Sequence, residues 1–243
     1  MGSLAVSSLR RLGRVSWDEQ MADRYDEWAG AMTADVPFYV DLAREADGPL
    51  VELAVGNGRV AIPVAQATGR RVTGIDSSPA MLNQARRNAA AAANVDLDLR
   101  LGDMRELALA QQAALIYCPA RALLHLQTWM DRRTVFERVA TSLHPGGRFA
   151  WNAFAFDHHI ATRHDGTHLD NPVPHSLRYD VPDNRVDIVL DEGGTSSLWW
   201  ATKNEWLGLL DVSGLQLEAL YGAFNKSPLT VESREYIFVA RRG

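Results

Sequence analysis

Residues 52–61 read Glu52-Leu53-Ala54-Val55-Gly56-Asn57-Gly58-Arg59-Val60-Ala61. This run begins inside a short apolar segment at 50–55 and leads into a helix-like stretch that ends at Ala67. Glycine has no Cβ, so a turn with two glycines lets a ligand lie against the backbone. A strand, a glycine-rich turn and a helix in this order are typical of the first βα unit of a ligand-binding sheet.

Outward from this turn, apolar segments alternate with helix-like stretches. The strands predicted for this region are 50–55, 71–75, 97–101, 113–117 and 148–152. Ser78 is predicted to cap the helix that runs to Ala93, with Pro79 at its first position. A helix at 131–143 stops at His144-Pro145-Gly146-Gly147. This alternation predicts right-handed βαβ units and a doubly wound α/β sheet with both faces covered.

Past residue 153 the pattern changes to short β-like segments at 176–180, 185–190 and 196–202. We interpret them as an inserted antiparallel β-layer after strand five. A helix at 203–212, ended by Gly214, precedes two strands at 215–221 and 235–240 that are expected to form an antiparallel edge hairpin. The predicted organisation is a helical cap or lid at 1–48, a core domain at 49–154 and 202–243, and a substrate-binding insertion at 155–201.

Composition narrows the class of protein. The 243 residues include 25 Lys+Arg and 30 Asp+Glu, a net charge of −5 that argues against non-specific nucleic-acid binding. No run of about 18 uncharged apolar residues is present, and the basic start at 1–14 lacks the apolar centre of a secretory signal. A single cysteine, Cys118, argues against a disulfide framework or a thiolate zinc site. We expect a cytoplasmic protein that handles a small molecule, with no nucleic-acid or membrane partner.

Acidic residues accompany three successive predicted strands. Glu52 lies inside the first, Asp76 ends the second and Asp103 follows the third. The carboxyl ends of parallel strands meet at one edge of a sheet, where open α/β folds bind ligands. The three acids are therefore expected to converge on one site.

Two cofactors fit this arrangement, and both need an acid after the second strand to accept hydrogen bonds from ribose hydroxyls. A dinucleotide fits because Gly56, Gly58 and Ala61 match G-x-G-x-x-G/A, with Asp76 lying 20 residues beyond Gly56. S-adenosylmethionine fits the same turn and also gives a role to the acids of the first and third strands.

Four ordered stretches carry a family resemblance. They are residues 52–59, Gly74-Ile75-Asp76-Ser77-Ser78 with Met81-Leu82 and Ala85-Arg86, Gly102-Asp103-Met104, and Leu143-His144-Pro145-Gly146-Gly147. Together they resemble class I S-adenosylmethionine-dependent methyltransferases over roughly residues 50–153 and 203–243. The resemblance implies a Rossmann-like seven-stranded sheet with a reversed last strand, in keeping with the C-terminal hairpin.

The same resemblance implies a set of cofactor contacts. The residues concerned are Glu52, Ala54, Gly56, Gly58, Asp76, Ser77, Met81, Asp103, Met104, Cys118 and Arg121. The glycines would pack on the methionine portion, and Asp76 would hold the ribose. Met81 or Ser77 would lie along the adenine, whose edge Asp103 and Met104 would bind. The backbone at 117–121 would face the methionine end. The family usually has glycine at the position of Ala54, whose methyl group is expected to shift the pocket slightly without abolishing binding.

His125 and Tyr25 are the candidate catalytic residues. His125 follows strand four, where the resemblance implies methyl-transfer chemistry, and it also fits a purely structural histidine. Tyr25 shares a predicted helix at 17–32 with Trp28, which the family folds over the cofactor as a lid. An ordinary apolar helix face is the alternative. Cys118 is interpreted as a small buried residue and not as a nucleophile.

Five histidines lie in the polar segment 157–175, and His164 and His168 have the i, i+4 spacing of a helical metal-binding pair. The local glycine and prolines argue against a helix there, so we predict a solvated loop and no metal site. Trp199, Trp200 and Trp206 are predicted to pack where the insertion meets the sheet. An aromatic wall for the methyl acceptor is the alternative.

These observations favour transfer of a methyl group from S-adenosylmethionine to an N or O nucleophile of a small molecule, by a monomer or homodimer. Amine N-methyltransferases are the closest analogy at the level of fold. An NAD(P)-dependent oxidoreductase is an alternative, although it leaves Glu52 and Asp103 unexplained and finds no Tyr-x-x-x-Lys relay. A non-catalytic S-adenosylmethionine-binding protein is the other.

Overall fold

The computed structural model describes residues 19–30 and 32–243. The helices are α1 (Glu19–Ala29), α2 (Val36–Glu45), α3 (Ala61–Thr68), α4 (Pro79–Ala91), α5 (Trp129–Ser142), α6 (His158–His164) and α7 (Lys203–Ser213). The strands are β1 (Leu50–Leu53), β2 (Val72–Asp76), β3 (Leu97–Leu101), β4 (Ala113–Cys118), β5 (Leu143–Phe154), β6 (His168–Leu169), β7 (His175–Asp180), β8 (Arg185–Leu190), β9 (Thr195–Trp199), β10 (Leu215–Tyr221) and β11 (Glu235–Arg242). Short 3-10 turns follow β3 and β4 at Met104–Glu106 and Ala122–His125. The predictions made for Trp17 and for residues 1–14 lie outside the described residues.

Seven strands form the central sheet in the order β10-β11-β5-β4-β1-β2-β3. The strands from β5 to β3 in this order pair in parallel, whereas β11 pairs antiparallel with both β5 and β10. This confirms the Rossmann-like doubly wound sheet with a reversed last strand. The carboxyl ends of β1, β2 and β4 therefore lie side by side, with β1 in the middle.

Local signals account for the element boundaries. Ser78 caps α4, because its Oγ accepts a hydrogen bond from the Met81 backbone nitrogen at 3.2 Å. The helix predicted to begin at Asp131 begins two residues earlier, since Thr128 accepts from the Asp131 nitrogen at 3.0 Å and takes the N-cap position. Gly214 ends α7 in the left-handed conformation, as predicted.

Large aromatic side chains fill the core on the α5–α7 face of the central sheet. Trp151 stacks on Phe238 at a centroid distance of 4.7 Å, and Phe136 packs edge-on to Trp151 at 5.1 Å. Trp206 is fully buried within the same cluster, which confirms its predicted role in packing. Each such side chain contributes roughly 1.5–3 kcal/mol on burial, so this cluster stabilises the packing of α5 and α7 on β5 and β11.

The insertion forms a second, antiparallel sheet in the order β6-β7-β8-β9. The three predicted strands are present, and β6 is an addition. The prediction of a loop without a helix at 157–175 is wrong, because Asp157 caps α6 by accepting from the His159 nitrogen at 2.9 Å. Gly166, at φ +72°, lies beyond the end of that helix and so does not prevent it. His164 is the last residue of α6 and His168 lies in β6, so the two do not share a helical face.

Two further findings concern the described part of the chain alone. No helix in it is long and apolar enough to cross a membrane. Within the same residues, no group of three or more His, Cys, Asp and Glu side chains is arranged to hold a metal ion.

Candidate active site

The glycine-rich turn after β1 is held by the carboxylate that ends β2. Asp76 Oδ2 accepts a hydrogen bond from the Gly56 nitrogen at 2.8 Å, and its Oδ1 accepts from the Ser78 nitrogen at 2.8 Å. Burial raises the pKa of Asp76 above its ordinary value, although these backbone donors oppose the rise. The Asp76 carboxylate therefore joins the turn after β1 to the start of α4.

The turn itself is built from left-handed residues. Gly56 has φ +54° and Gly58 has φ +84°, which glycine adopts without a steric penalty. A Cβ at Gly56 would lie 3.9 Å from the ring of Tyr25, so the bare backbone leaves space beneath α1. Ala54 lies in the same region at φ +53°, and this explains why a glycine suits that position.

Glu52 is buried at the centre of this edge, with 1% of its surface exposed. Burial raises the pKa of Glu52 well above its ordinary value, and the nearby Tyr117 hydroxyl and Arg59 guanidinium only partly oppose that rise. Its Oε2 atom is buried and has no hydrogen-bond partner among the described residues. Burying a carboxyl oxygen in this way is unfavourable, so Glu52 is suited to a ligand that supplies a donor or a positive charge.

An ion pair that sequence reasoning missed ties the segment before α2 to the turn. The Arg59 guanidinium makes two hydrogen bonds of 2.6 Å to the Asp35 carboxylate, and it also donates to the Met32 carbonyl. The Arg59 and Asp35 side chains are only 13% and 7% exposed, respectively. A bidentate pair of this kind is geometrically specific, so it fixes the approach of the N-terminal segment to the site.

Helix α1 lies across the turn and brings Tyr25 to it. Asp26 accepts hydrogen bonds from Asn57 at 2.5 Å and from Gln84 at 2.8 Å, which attaches α1 to the turn and to α4. Burial raises the pKa of Tyr25, so its hydroxyl is protonated at neutral pH. At the other side of α1, Trp28 packs edge-on to His175 of β7 at 4.8 Å. Helix α1 thus contacts the turn after β1, helix α4 and the insertion.

The acid after β3 is engaged by a neighbouring arginine. Asp103 accepts from the Arg105 backbone nitrogen at 2.8 Å and from Arg105 Nε at 3.0 Å. Burial by itself would raise the pKa of Asp103, but the Arg105 hydrogen bonds outweigh it and lower that pKa. Of the other residues predicted for the adenine side, Met81 is buried, Met104 is partly buried and Ser77 is exposed. All of them lie after β2 or β3 at the same edge as Glu52.

The segment after β4 carries the remaining predicted residues. Cys118 is fully buried, and burial raises the pKa of its thiol, which agrees with an inert packing residue. Arg121 donates its backbone N–H to Asn152 Oδ1 at 3.2 Å and its side chain to Glu235. Burial lowers the pKa of His125 to about 4, while a hydrogen bond to the Ser197 backbone opposes the change. His125 is therefore neutral at pH 7, at the junction of the core sheet and β9.

Comparison with known proteins agrees with this geometry. Residues 50–147 match the family described as a methyltransferase domain, while no curated protein sequence matches the chain. The structure of the CcbJ methyltransferase from Streptomyces caelestis superposes with a TM-score of 0.79 at 25% identity, covering 94% of this chain and 98% of that one. An S-adenosylmethionine-dependent methyltransferase from Clostridium acetobutylicum gives 0.75 at 13% identity, covering 92% and 98%. An amino pentose methyltransferase from Micromonospora echinaspora, solved with S-adenosylmethionine bound, gives 0.64 at 20% identity, covering 91% and 95%. At identities of 13% and 20%, the likeness establishes the fold alone.

The matched domain, the sheet order and the turn after β1 define the class of protein. Residues 50–147 are a methyltransferase domain, and the chain has the fold of class I S-adenosylmethionine-dependent methyltransferases, as the sequence motifs predict, with S-adenosylmethionine as the cofactor. The dinucleotide alternative is not supported by this match.

The left-handed backbone at Ala54 generates a stability prediction. We expect Ala54→Gly to change the free energy of unfolding by less than about 1 kcal/mol, because relief of a strain of about 1–2 kcal/mol is offset by the greater freedom of unfolded glycine. Ala54→Val should destabilise the protein by about 2 kcal/mol or more, since a β-branched residue is a conformational outlier at φ +53°. Urea unfolding measures both changes. Ala93→Val at an exposed position is the control. Equal losses in the free energy of unfolding for Ala54→Val and Ala93→Val would show that backbone strain at Ala54 is not the cause.

The buried Glu52 carboxyl generates a pH prediction. Its pKa in the folded protein lies above the ordinary value of 4.5, so the wild type loses stability as the pH rises from about 4.5 through that raised pKa. Glu52→Gln has no such titration. We therefore expect the unliganded variant to match the wild type in Tm at low pH and to exceed it by a few degrees at pH 8. A Tm difference that is constant with pH, or equal to that of the exposed control Glu232→Gln, would show that titration of Glu52 does not cause the difference.

Proposed function

We propose that this protein transfers the methyl group of S-adenosylmethionine to an N or O nucleophile of a small molecule. The observation that carries the proposal is the orphaned Glu52 Oε2 beneath a left-handed glycine turn that Asp76 holds open. The buried acid Glu52, the glycine backbone and a carboxylate placed to bind a ribose, Asp76, lie at one edge of the sheet. Together they suit a cofactor with an adenosyl group and a positive charge. The oxidoreductase alternative leaves Glu52 and Asp103 without a role.

In this proposal different residues at the carboxyl edge bind the methionine, ribose and adenine portions of the cofactor. Gly56 and Gly58 would take the methionine portion against their backbone, with Ala54 beside them and Glu52 supplying negative charge. Asp76 would accept from the ribose hydroxyls while it keeps its bonds to the turn. The residues proposed to surround the adenine are Ser77, Met81, Asp103 and Met104. The segment from Cys118 to Arg121 would border the methionine end, where Arg121 is already bound to Asn152.

The bound cofactor supplies an activated methyl group, so the protein's own contribution is alignment and exclusion of water. Helix α1 covers the turn through Tyr25 and is fixed to Asn57 and Gln84 by Asp26. The inserted sheet contacts α1 through His175 and Trp28. In this proposal the two elements together cover the carboxyl edge of the central sheet. Holding two reactants in line in such an enclosure can lower a barrier by about 7–11 kcal/mol.

His125 is the candidate general base, and Tyr25 is better suited to donate a hydrogen bond. With a pKa of about 4, His125 is neutral at pH 7 and able to accept a proton. A base of that strength provides little driving force, so its effect belongs at the low end of general-base catalysis, about 10²-fold. The raised pKa of Tyr25 keeps its phenol protonated, so it positions a group and does not remove a proton.

The nature of the acceptor is proposed from the neighbours and from the insertion. Solved proteins of similar fold include an amino pentose methyltransferase and a glycopeptide N-methyltransferase, which supports an amine acceptor. We propose that the insertion at 155–201 shapes the acceptor site, with 1–48 as the cap and 49–154 with 202–243 as the core. The cytoplasmic location and the monomeric or homodimeric state remain predictions from the sequence.

Asp76 provides the test of cofactor binding. We expect Asp76→Ala to weaken S-adenosylhomocysteine binding by about 1.5–3 kcal/mol, roughly 10- to 150-fold in Kd, through loss of charged hydrogen bonds. Isothermal titration calorimetry measures this loss. Asp96→Ala, which removes an exposed carboxylate paired with Arg71, is the matched control. Equal affinities in the two variants would remove Asp76 from the cofactor site.

Methyl transfer itself is tested with S-adenosylmethionine and the matched acceptors glucosamine and glucose. We expect S-adenosylhomocysteine to form above the acceptor-free background with the amine, and His125→Ala to lower kcat about 10²-fold without changing the Kd of S-adenosylhomocysteine. Because a base must be unprotonated, the His125-dependent limb of the wild-type pH profile should lie near pH 4 and not near pH 6.5.

His159→Ala, on the exposed face of α6, serves as the control for removal of a histidine. Equal kcat in the two variants would exclude His125 from proton transfer. Formation of product with neither acceptor, while S-adenosylhomocysteine binds normally, would restrict the proposal to another class of acceptor or to the non-catalytic alternative.

A further inference from the structure

A second polar cluster lies at the carboxyl edge, on the side of β5 and β11 away from the adenine residues. Its members are Arg121, Asn152 and Glu235, which come from the segment after β4, from β5 and from the start of β11. Glu235 lies opposite Phe154 in the β11–β5 register, and Asn152 lies opposite Ile237. Antiparallel pairing of β11 therefore brings an acid from the end of the chain to the edge where β4 and β5 finish.

The Glu235 carboxylate is held in place by the buried side chain of Asn152. Asn152 Nδ2 donates to Glu235 Oε2 at 3.1 Å, and Asn152 is only 4% exposed. Asn152 is itself oriented, because its Oδ1 accepts from the Arg121 nitrogen at 3.2 Å and from the Tyr39 hydroxyl at 3.4 Å. With its amide fixed in this way, Asn152 keeps the carboxylate oriented whatever cation lies on the other side.

The cation on the other side is Arg121. Its Nε donates to Glu235 Oε1 at 2.7 Å, and its guanidinium lies 5.8 Å from the centroid of the Phe154 ring. The Arg121 side chain is 44% exposed, whereas Glu235 is 16% exposed. Arg121 also lies at φ +60° directly after Ala120 at φ +57°, a strained pair for residues other than glycine. The cation is therefore the exposed and replaceable partner, and the carboxylate is the fixed one.

An open cavity of about 370 Å³ borders Glu235. Its wall includes Ala34, Phe224 and Asn225, which are uncharged, together with Arg234. The Arg234 charge is balanced by Asp157, whose carboxylate lies 3.7 Å away. Glu235 is thus the only carboxylate among the residues described as lining this cavity.

We propose that Glu235 binds a protonated amine of the methyl acceptor, and that Arg121 occupies the place of this amine when no acceptor is bound. This inference deepens the proposed function and rests on it. A partly buried carboxylate is stabilised by a cation, and an ammonium group from the acceptor replaces the guanidinium at little loss of charge pairing. Arg121 then turns outward over Phe154 into solvent.

An acidic acceptor bound by Arg121 is the opposing interpretation, and the contacts favour the amine. An anion on Arg121 would have to separate it from Glu235 and would leave that carboxylate without its cation. The buried Asn152 amide orients the acid and not the guanidinium, since its Nδ2 donates to Glu235 while its Oδ1 accepts from the Arg121 backbone nitrogen and the Tyr39 hydroxyl. Discrimination between amine and acid acceptors is therefore assigned to Glu235.

The test uses Arg121→Ala, which exposes the carboxylate, with methylammonium chloride as the probe and sodium chloride at equal ionic strength as the reference. At about ten times its Kd, methylammonium should raise the Tm of Arg121→Ala by about 2–5 °C over sodium. The double variant Arg121→Ala with Glu235→Gln should show no such difference. Arg121→Gly, in which φ +60° is unstrained, repeats the test if the alanine variant does not fold.

A second measurement uses the full-length wild type saturated with S-adenosylhomocysteine. Glucosamine should bind at least tenfold more tightly than glucose or glucuronate, and Glu235→Gln should remove that preference without changing the Kd of S-adenosylhomocysteine. Equal methylammonium responses in the single and double variants, or a preference for glucuronate that Arg121→Ala abolishes, would overturn the proposal. Failure of methyl transfer with intact cation binding at Glu235 would instead count against the proposed function alone.

Discussion

The hydrogen bond from the Gly56 nitrogen to the Asp76 carboxylate is the contact on which the site depends. It joins the turn after β1 to the end of β2, and the same carboxylate also receives the Ser78 nitrogen at the start of α4. Three elements of the sheet edge are thus fixed by one side chain. Burial raises the pKa of Asp76, and backbone donors at Ser78, Gly56 and Ser77 oppose that rise. The turn is therefore preorganised before the cofactor binds.

Several unfavourable features gather around this one edge. Ala54, Ala120 and Arg121 have left-handed backbone, and Glu52 is buried with an oxygen that no described residue satisfies. Left-handed non-glycine residues also occur away from this edge, at Asn94, Asn184 and Lys226, and the indole nitrogens of Trp151 and Trp206 are likewise buried without a hydrogen-bond partner. Strain and burial of this kind persist only where the surrounding fold enforces them, and they concentrate at functional sites. What distinguishes the ends of β1 and β4 is that left-handed backbone and a buried carboxyl oxygen occur there together, which agrees with the proposed site.

Local signals in the sequence were sufficient for the core sheet. The strands at 97–101, 185–190 and 215–221 and the Ser78 cap depend on neighbours in the chain, and each is confirmed. Helix α6 was missed because a glycine and two prolines outweighed Asp157, whose capping role is equally local. The cluster of Asn152 and Glu235 was not predictable in the same way. It needs the antiparallel register of β11 on β5, which joins residues 83 positions apart.

The cofactor side and the acceptor side of the proposed site differ in how their residues are spaced along the sequence. The residues proposed to bind the cofactor lie at or just after the ends of successive strands, so a motif can reveal Gly56, Asp76 and Asp103 from spacing alone. The residues proposed for the acceptor come from the insertion, from β5 and from the reversed strand β11, and no spacing rule relates them. A fold that binds one cofactor on its fixed βα turns is thereby free to vary its acceptor through side chains such as Glu235. The side of the edge proposed for the acceptor is therefore the side where β11 pairs antiparallel with β5.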